Sequence, residues 1–372
     1  MIINNAEIYT KSFRFEKKSL RVENGVYTKV SDVPLLAAEG EQVVEAEGLR
    51  VIPGLTDIHF HGCMGSDLCD GTNEAVSAMA KYEKSIGVLN ICPATMTLGI
   101  ERLKTICQIT ANHQRGDDEA KLIGINLEGP FISPQKVGAQ NPDYVIKPDP
   151  SILEELLDES NGLIKLVTIA PEMEGAIGCI RRLKEKVHFS IGHTCADYEQ
   201  ASKAISEGAD HITHLYNAMP PMLHRKPGVI GAASEASDVY AEIICDGVHV
   251  HPSSVRAAFK LFGADRIVLI SDSMRACGMP DGDYELGGIP VIKKGREAKQ
   301  QNGTLAGSVT NLYECMKEAI KIGICAEDAV RAAAYNPVAS IGLDHIYGVI
   351  DEGRAAGALL VDRKWNLRML IE

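Results

Sequence analysis

Six residues that can bind a metal ion or move a proton follow short apolar runs that are rich in β-branched residues. The runs are VIPGLTDI, LIGINL, VHFSIG, HIT and RIVLIS, and the residues that follow them are His59, His61, Glu128, His193, His214 and Asp272. In a barrel of parallel strands, all carboxyl ends open on one face, where the active sites of such folds lie. Six residues of this kind from five predicted strands indicate a metal-dependent hydrolase.

The histidines and Glu128 form a plausible set of metal ligands. A single histidine on a strand is more often structural, and Glu128 alone could be a surface acid before the Gly-Pro turn. His59 and His61 are two residues apart, however, so both imidazoles can face the same side of an extended chain. A buried carboxylate also requires a compensating charge. Together with His193 and His214, these donors suffice for two divalent ions such as Zn, Fe or Mn, with Glu128 bridging them.

Asp272 follows the last predicted strand, within the sequence Ser-Asp-Ser. From there its carboxylate can accept a proton from a water molecule whose pKa a metal ion has lowered, and return that proton to a leaving amine. The alternative is a helix N-cap, for which Ser-Asp-Ser is also suitable. The fourth predicted strand ends in Thr-Ile-Ala-Pro, so no lysine is available there to form a carbamylated bridge between two metals.

Composition restricts the partners and the compartment. The chain has 372 residues and a net charge of −12, which argues against nucleic acid or an anionic membrane as a partner. Its ten cysteines include no C-x-x-C pair, as is typical of a reducing compartment. No signal peptide and no apolar stretch of ~18 residues are apparent. We expect a cytoplasmic protein that holds any anionic substrate with local donors.

The pattern of the chain predicts an α/β fold, a (β/α)8 TIM-type barrel with a small β domain built from the two chain ends. Residues 1–52 and 346–372 are expected to form the small, β-sandwich-like domain, with a turn at Asn24-Gly25, and residues 53–345 the catalytic barrel. Residues 284–307 are expected to cross the active face, and two helices should follow at about 309–322 and 326–340. The eight predicted strands are 55–61, 88–95, 122–128, 165–170, 187–193, 211–214, 241–246 and 267–272.

Motifs along almost the whole chain resemble those of one family. They occur in the order PGLTDIHFHG, NLEGPF, GAQNP, IAPE, IGHT, THLYNAMP, GVIGAA, DGVHV, SDSMRACGMPDGDYELGG, NGTLAGS and NPVASIGL. Together they resemble the N-acetylglucosamine-6-phosphate deacetylase family of the amidohydrolase superfamily. The resemblance implies hydrolysis of the acetamide of N-acetyl-D-glucosamine 6-phosphate to D-glucosamine 6-phosphate and acetate, in amino-sugar catabolism and recycling.

The resemblance also assigns roles to residues. It implies that Glu128, His193 and His214 bind metal, that His59 and His61 add the second metal found in some members, and that Asp272 is the general base and acid. It implies a homodimer, because the family presents an arginine that corresponds to Arg225 across a subunit interface. Gln140 replaces a histidine that contacts the sugar in some members, and an amide can hydrogen-bond a hydroxyl but cannot titrate. The substrate-binding residues that it implies are Gln140, Asn217, Ala218, Arg225 and His249.

Three alternatives remain at this point. A cyclic amidase of the dihydroorotase or hydantoinase type is disfavoured by the missing lysine after the fourth strand. A metal-binding or sugar-sensing protein without activity is disfavoured by Asp272, because a sensor needs no group that transfers protons. From the residues alone, Arg225 and Lys226 fit a solvated loop as well as they fit a phosphate site.

Overall fold

The computed structural model of the protein describes all 372 residues, and a ring of eight parallel strands stands at its centre. Strands three to eight form one sheet, and strands one and two pair in another. A parallel bridge between Ala94 and Asn126 joins the second strand to the third, and the Asp272 N–H donates to the His59 carbonyl at 2.9 Å between the eighth and the first. The predicted barrel is therefore confirmed. Its strands are Leu55–Asp57, Val88–Ile91, Ile125–Glu128, Ile164–Ile169, His188–Ile191, Ala209–Ile212, Tyr240–Ile244 and Ile267–Ile270.

Each strand is followed by a helix that packs outside the ring. The seventh shows why these segments are helical: Pro252 occupies its first turn, His251 caps it, and Gly263 follows its last residue. Its buried residues Val255, Ala258, Phe259 and Phe262 recur at the spacing of one helix face. The eight helices are Asn73–Ser85, Ile100–Ala111, Pro150–Glu159, Ala176–Leu183, Tyr198–Glu207, Gly228–Glu235, Pro252–Phe262 and Leu312–Lys321.

Alternate residues of the strands fill two different cores. In the eighth strand, Ile267 and Leu269 belong to the large core between strands and helices. Val268 and Ile270 point the other way, into a smaller cluster with Ile58 and Leu166 from other strands of the ring. Because both faces of the strand are buried, its sequence is a continuous apolar run, as is usual for parallel sheets.

The two chain ends meet in one seven-stranded sheet, which we call the end sheet. Asn24 and Gly25 both have positive φ, as a two-residue hairpin turn requires, so the predicted turn is confirmed. A core of 13 buried hydrophobic residues belongs to this region alone. The strands of the end sheet are Ile2–Tyr9, Phe15–Glu23, Val26–Ser31, Val43–Glu45, Arg50–Pro53, Ala358–Val361 and Leu367–Ile371.

The segment after the eighth strand forms a three-stranded antiparallel sheet, Gly282–Leu286, Ile289–Lys294 and Glu297–Gln300. The helix that follows begins at Leu312, because Asn311 caps it, and not at the predicted residue 309. The last predicted helix is interrupted: α-helical Ala326–Val330 and Asn336–Ala339 flank a π-helical turn, Arg331–Tyr335.

The remaining elements are short. They are the 3-10 helices Leu68–Asp70 and Pro142–Tyr144 and the strands Gly62–Cys63, Ser66–Asp67 and Lys121–Leu122. None of the helices has the length and apolar character that a membrane span needs.

Candidate active site

The candidate site lies at the barrel mouth, the face formed by the carboxyl ends of the eight strands. Glu128 is the last residue of the third strand. Four other residues, His59, His193, His214 and Asp272, each stand two positions beyond the last residue of their strand. The last three of them have positive φ, at 46°, 27° and 48°. Left-handed backbone at non-glycine residues costs of order 1–3 kcal/mol each and concentrates at functional sites, where it aims side chains inward.

The chain bends after the first strand, so His59 and His61 lie beyond it and not within it as predicted. The backbone nevertheless stays beside the eighth strand, because the His61 N–H donates to the Ser273 carbonyl at 2.7 Å. The two imidazole rings stand nearly perpendicular, at 83°, with centroids 5.6 Å apart. Both therefore reach the same centre although no strand continues there.

All four histidines point an Nε2 atom at the carboxylate of Glu128. Its Oε1 lies 3.2 Å from the Nε2 of His59, 3.2 Å from that of His193 and 3.1 Å from that of His214. Its Oε2 lies 3.3 Å from the Nε2 of His61. Glu128 is thus common to two groups of donors, which we call the first cluster (His59, His61, Glu128) and the second cluster (Glu128, His193, His214).

The Nδ1 atoms of these histidines point away from Glu128, and the hydrogen bonds that they make determine whether Nε2 carries a proton. The Nδ1–H of His193 donates to the Lys136 carbonyl at 2.9 Å, and that of His61 faces the Ala94 carbonyl at 3.3 Å. A neutral imidazole that donates through Nδ1 has a lone pair on Nε2. When neutral, His193 and His61 therefore direct their Nε2 lone pairs at the carboxylate of Glu128.

This arrangement fits divalent cations. The Nε2 atoms of His193 and His214 approach to 3.0 Å, and His59 Nε2 is buried without a hydrogen bond. Burial alone would lower the pKa of His61, but hydrogen bonds to Asp272 and Glu128 raise it to about 10. The site thus favours positive charge at its centre, which a proton or a metal ion can supply. Nitrogen and oxygen donors at this spacing are those that first-row divalent ions bind.

Asp272 lies beside the first cluster. Its Oδ1 is 3.2 Å from His61 Nε2 and 3.9 Å from His59 Nε2. Burial would raise the pKa of Asp272, but the hydrogen bond to His61 and the nearby His59 hold it below its ordinary value. The carboxylate is therefore ionised at neutral pH and ready to accept a proton.

Gln140 holds the carboxylate of Glu128 from the loop after the third strand. Its Nε2 donates to Glu128 Oε2, and its Oε1 accepts from the Thr97 N–H at 2.6 Å. Gly129 is needed beside this pair because its φ is +91° and a Cβ there would lie 2.1 Å from the Thr97 hydroxyl oxygen. Gln140 also lines the cavity, so the predicted contact of its amide with a sugar stays a prediction.

Glu242, on the seventh strand, is a buried acid that the sequence reasoning missed. Its Oε2 lies 2.8 Å from His59 Nδ1 and accepts from the His214 N–H at 3.1 Å. His211 Nε2 lies 3.4 Å from its Oε1. Burial would raise the pKa of Glu242, but His59 and His211 lower it to about 2. Glutamate inside the apolar run YAEIIC was the available signal, because a charge on a buried strand requires a partner.

A cavity opens above Glu128, Asp272 and three of the four histidines. Its volume of about 210 Å3 is roughly seven times the ~30 Å3 share of one water molecule in the liquid, so it accepts a small organic molecule. Leu286 and residues 304–307 line it, so the two ends of the segment 284–307, which was predicted to cross the active face, reach the cavity. Of the predicted site residues, those that line the cavity are His61, Glu128, Gln140, His193, His214, Asn217, Ala218, His249 and Asp272.

Arg225 is not brought to this cavity. It is exposed on a loop in which Leu223 and Lys226 pair through backbone hydrogen bonds, and it lines a different cleft together with Tyr198 and Glu235. The cavity of the candidate site has no arginine and no lysine in its lining.

His249 is held by Asp246. This aspartate is the second residue of the site that the sequence analysis did not identify. The Nδ1 of His249 is 2.7 Å from Asp246 Oδ2, and its Nε2 is 2.9 Å from the Ala306 carbonyl. Both partners only accept, so both ring nitrogens donate and the imidazole is cationic. Burial would lower the pKa of His249, but Asp246 raises it. The spacing of the two residues in Asp-Gly-Val-His was the available signal, since an aspartate readily bonds the residues that follow it in a turn.

Comparison with known proteins agrees with this geometry. The model of the amidohydrolase family matches residues 50–369. The chain belongs to the amidohydrolase family. The family is generally dependent on divalent metal, which agrees with the donor set described above.

Relatives within the amidohydrolase family show which of its enzymes this chain is similar to. An N-acetylglucosamine-6-phosphate deacetylase of Lysinibacillus sphaericus is 34% identical over 100% of this chain and 96% of its own. An N-acetylgalactosamine-6-phosphate deacetylase of Escherichia coli O157:H7 is 30% identical over 99% of this chain and 97% of its own. The family resemblance seen in the motifs is therefore confirmed.

A solved structure agrees over the whole chain. The N-acetyl-D-glucosamine-6-phosphate deacetylase of Mycobacterium smegmatis, solved as a mutant in complex with N-acetyl-D-glucosamine-6-phosphate, superposes with a TM-score of 0.92. It is 30% identical, and the match covers 100% of this chain and 97% of that one.

Proposed function

We propose that this amidohydrolase hydrolyses the acetamide of N-acetyl-D-glucosamine 6-phosphate to D-glucosamine 6-phosphate and acetate, in amino-sugar catabolism and recycling. The observation that carries the proposal is the meeting of four imidazoles with Glu128 and Asp272 below a cavity of small-molecule size. The full-length similarity to deacetylases of this name supports the choice of substrate.

The chemistry requires water to add to the acetyl carbon and the C–N bond to break. A divalent ion bound by these residues would polarise the acetamide carbonyl and lower the pKa of a water molecule. The Asp272 carboxylate accepts the proton of the attacking water and returns it to the leaving nitrogen, which departs as the amine. Its position next to His61 places this carboxylate at the edge of the donor set and within the cavity.

The metal assignment is also part of the proposal. His59, His61, Glu128, His193 and His214 hold one or two divalent ions per subunit, Zn, Fe, Mn or a similar metal. Support for two ions comes from the two clusters that share Glu128.

The phosphate group requires donors that this chain's own cavity lacks. Asn217, Ala218 and the cationic His249 line the cavity, but no arginine or lysine does. We propose that a homodimer supplies Arg225 of each subunit to the phosphate in the other. An exposed arginine in an acidic chain is suited to this role, because a guanidinium binds phosphate with paired, charge-assisted hydrogen bonds.

Two further assignments complete the proposal. We divide the chain into a small domain, residues 1–52 and 346–372, and a catalytic domain, residues 53–345; the end sheet with its own apolar core supports this division. The ten scattered cysteines, which include no C-x-x-C pair, support a cytoplasmic location.

One assay tests the function. Acetate release is measured from N-acetylglucosamine 6-phosphate, from N-acetylgalactosamine 6-phosphate and from unphosphorylated N-acetylglucosamine, each with and without a chelator. We expect the first compound to be the best substrate and the last to be poor, and we expect chelation to abolish turnover. Preference for the galactosamine derivative would change the sugar but keep the reaction, whereas no acetate from any of them would refute the proposal.

A further inference from the structure

We propose that Glu242 is a positioning residue that makes His59 a metal ligand and thereby creates the first cluster. The inference rests on the proposed two-ion site. It concerns a residue that contacts neither the cavity nor the substrate: Glu242 is fully buried on the seventh strand, behind the histidines.

The geometry determines which nitrogen of His59 carries the proton. Glu242 Oε2 accepts from the His214 backbone N–H at 3.1 Å, and a backbone N–H can only donate. The same oxygen lies 2.8 Å from His59 Nδ1. Nδ1 therefore donates to a carboxylate oxygen, and the lone pair of His59 remains on Nε2, which faces Glu128 Oε1 and Asp272 Oδ1.

No other histidine of the two clusters has a carboxylate behind it. His61 and His193 are backed by carbonyl oxygens of Ala94 and Lys136, and His214 Nδ1 has no partner. A carboxylate behind a ligating imidazole fixes the ring and makes it a better donor than a carbonyl does. Glu242 therefore strengthens one cluster selectively, although the two clusters share Glu128.

Glu242 also connects the two clusters mechanically. One oxygen is bonded to the ring of His59 from the first cluster and to the main chain of His214 from the second. The His214 backbone has φ of 27°, so the bond to its N–H helps to hold a strained turn. Replacement of Glu242 should therefore affect the first cluster through the ring and the second only weakly, through the main chain.

The experiment measures zinc binding to the whole protein. Zinc per chain is determined by elemental analysis after loading, and both dissociation constants are determined by competition with a chromogenic chelator, for the wild type, Glu242→Gln and Glu242→Ala. An effect of about 10- to 100-fold is typical when a partner behind a metal ligand is removed. We expect about 10-fold weaker binding of one zinc in Glu242→Gln, where the amide oxygen can still accept, and about 100-fold in Glu242→Ala, with the other zinc changed less than about threefold.

Glu83→Gln is the matched control. Glu83 is also fully buried, but neither of its carboxylate oxygens has a hydrogen-bond partner and it belongs to neither cluster. The same chemical change at this position should leave both zinc constants unchanged. Thermal unfolding of each apo-protein in excess chelator verifies that the variants fold.

The variant His59→Asn is used to test whether Glu242 acts through His59. In His59→Asn, one zinc should remain, and adding Glu242→Gln should not weaken it by more than about threefold. If the added change weakens the remaining zinc tenfold, Glu242 acts on the whole site by its charge and the positioning role is overturned.

The outcomes separate this inference from the proposed function. Wild type that never binds more than one zinc overturns the two-ion site and this inference together. Two zinc ions bound equally tightly by wild type and Glu242→Ala overturn only the role of Glu242. Selective loss of one zinc in a protein that releases no acetate from the phosphorylated sugar supports the inference while the proposed function fails.

Discussion

In the end sheet, thirteen hydrophobic residues are buried against one another, whereas at the barrel mouth four histidines, Glu128 and Asp272 are buried together. The mouth also has left-handed backbone at His193, His214 and Asp272. Apolar burial stabilises a fold, while buried charges and strained backbone reduce stability unless other groups compensate them. The difference indicates that the end sheet contributes stability and that the mouth is built for chemistry at the expense of stability.

The largest effect on turnover is expected at Asp272. Asp272→Asn removes the proton acceptor but keeps the size of the side chain, so turnover should fall by at least ~100-fold, the lower range for general acid–base catalysis. Steady-state acetate release measures the effect, and elemental analysis should show that most metal remains. Turnover close to that of the wild type would falsify the assignment.

Arg225 should affect substrate binding more than the chemical step. A charge-assisted hydrogen bond is worth roughly 1.5–3 kcal/mol, so Arg225→Ala should raise the KM for the phosphorylated sugar about 10- to 150-fold. Unphosphorylated N-acetylglucosamine is the control, because its slow turnover should be the same in both proteins.

Mixed subunits test whether Arg225 acts across an interface. At substrate concentrations near the wild-type KM, Arg225→Ala and Asp272→Asn proteins should each have little activity, but a hybrid dimer contains one site with an intact Asp272 and a donated Arg225. Activity should return when subunits exchange. If exchange is verified and activity stays low, Arg225 acts within its own chain or not at all.

The barrel could be predicted because its strands, such as Ile267–Ile270, are short continuous apolar runs rich in β-branched residues, and helix-like segments separate them. The residues of the mouth could be predicted for a related reason, since His193, His214 and Asp272 are polar residues that come directly after such runs. Their common offset of two residues past the strand could not be predicted, because it depends on left-handed turns that no residue type there requires.

Partners of the site residues were harder to predict than the residues themselves. Glu242 pairs with His59 across 183 positions, and Gln140 reaches Glu128 from an irregular loop. Such contacts depend on which strands become neighbours in the closed ring and on loop conformation, and neither is encoded in local spacing. The position of Arg225 could not be predicted from local spacing either, because the fold of its own chain places it in a different cleft from the cavity.

The pair of Asp246 and His249 should give the mouth a pH-dependent contribution to stability. The pKa of His249 is raised above 6.5, so its contribution is full below that pH and is lost as the pH rises through the folded-state value. The pKa of Asp246 is lowered below 3.8, since the bond to His249 outweighs burial, so its contribution is present above that pH and is lost on further acidification.

Asp246→Asn tests this pair. The variant should lose about 1.5–3 kcal/mol of unfolding free energy, the value of a hydrogen bond between charged groups, and the loss should be greatest between about pH 4 and 6.5. Denaturant unfolding measures it from about pH 4 to a pH above the raised pKa of His249, and the difference from wild type should shrink as His249 deprotonates at the upper end. A difference that is the same at every pH would show that the pair does not titrate as a unit.

Substitutions in the apolar core of the end sheet should have the opposite effect to Asp272→Asn. They should reduce stability strongly and leave turnover unchanged. Ile8 is fully buried in its apolar core, so Ile8→Ala should cost about 2–5 kcal/mol of unfolding free energy and Ile8→Val about 0.5–1.5 kcal/mol. Denaturant unfolding measures both, while kcat per folded molecule and bound metal should match the wild type. Because Ile8 belongs to the apolar core of the end sheet and to neither metal cluster, its shortening should move no metal ligand. A fall in kcat that was larger in the alanine than in the valine variant would mean that packing in the end sheet affects the geometry of the barrel mouth. The end sheet would then contribute to catalysis as well as to stability, and the comparison between the two regions would be wrong.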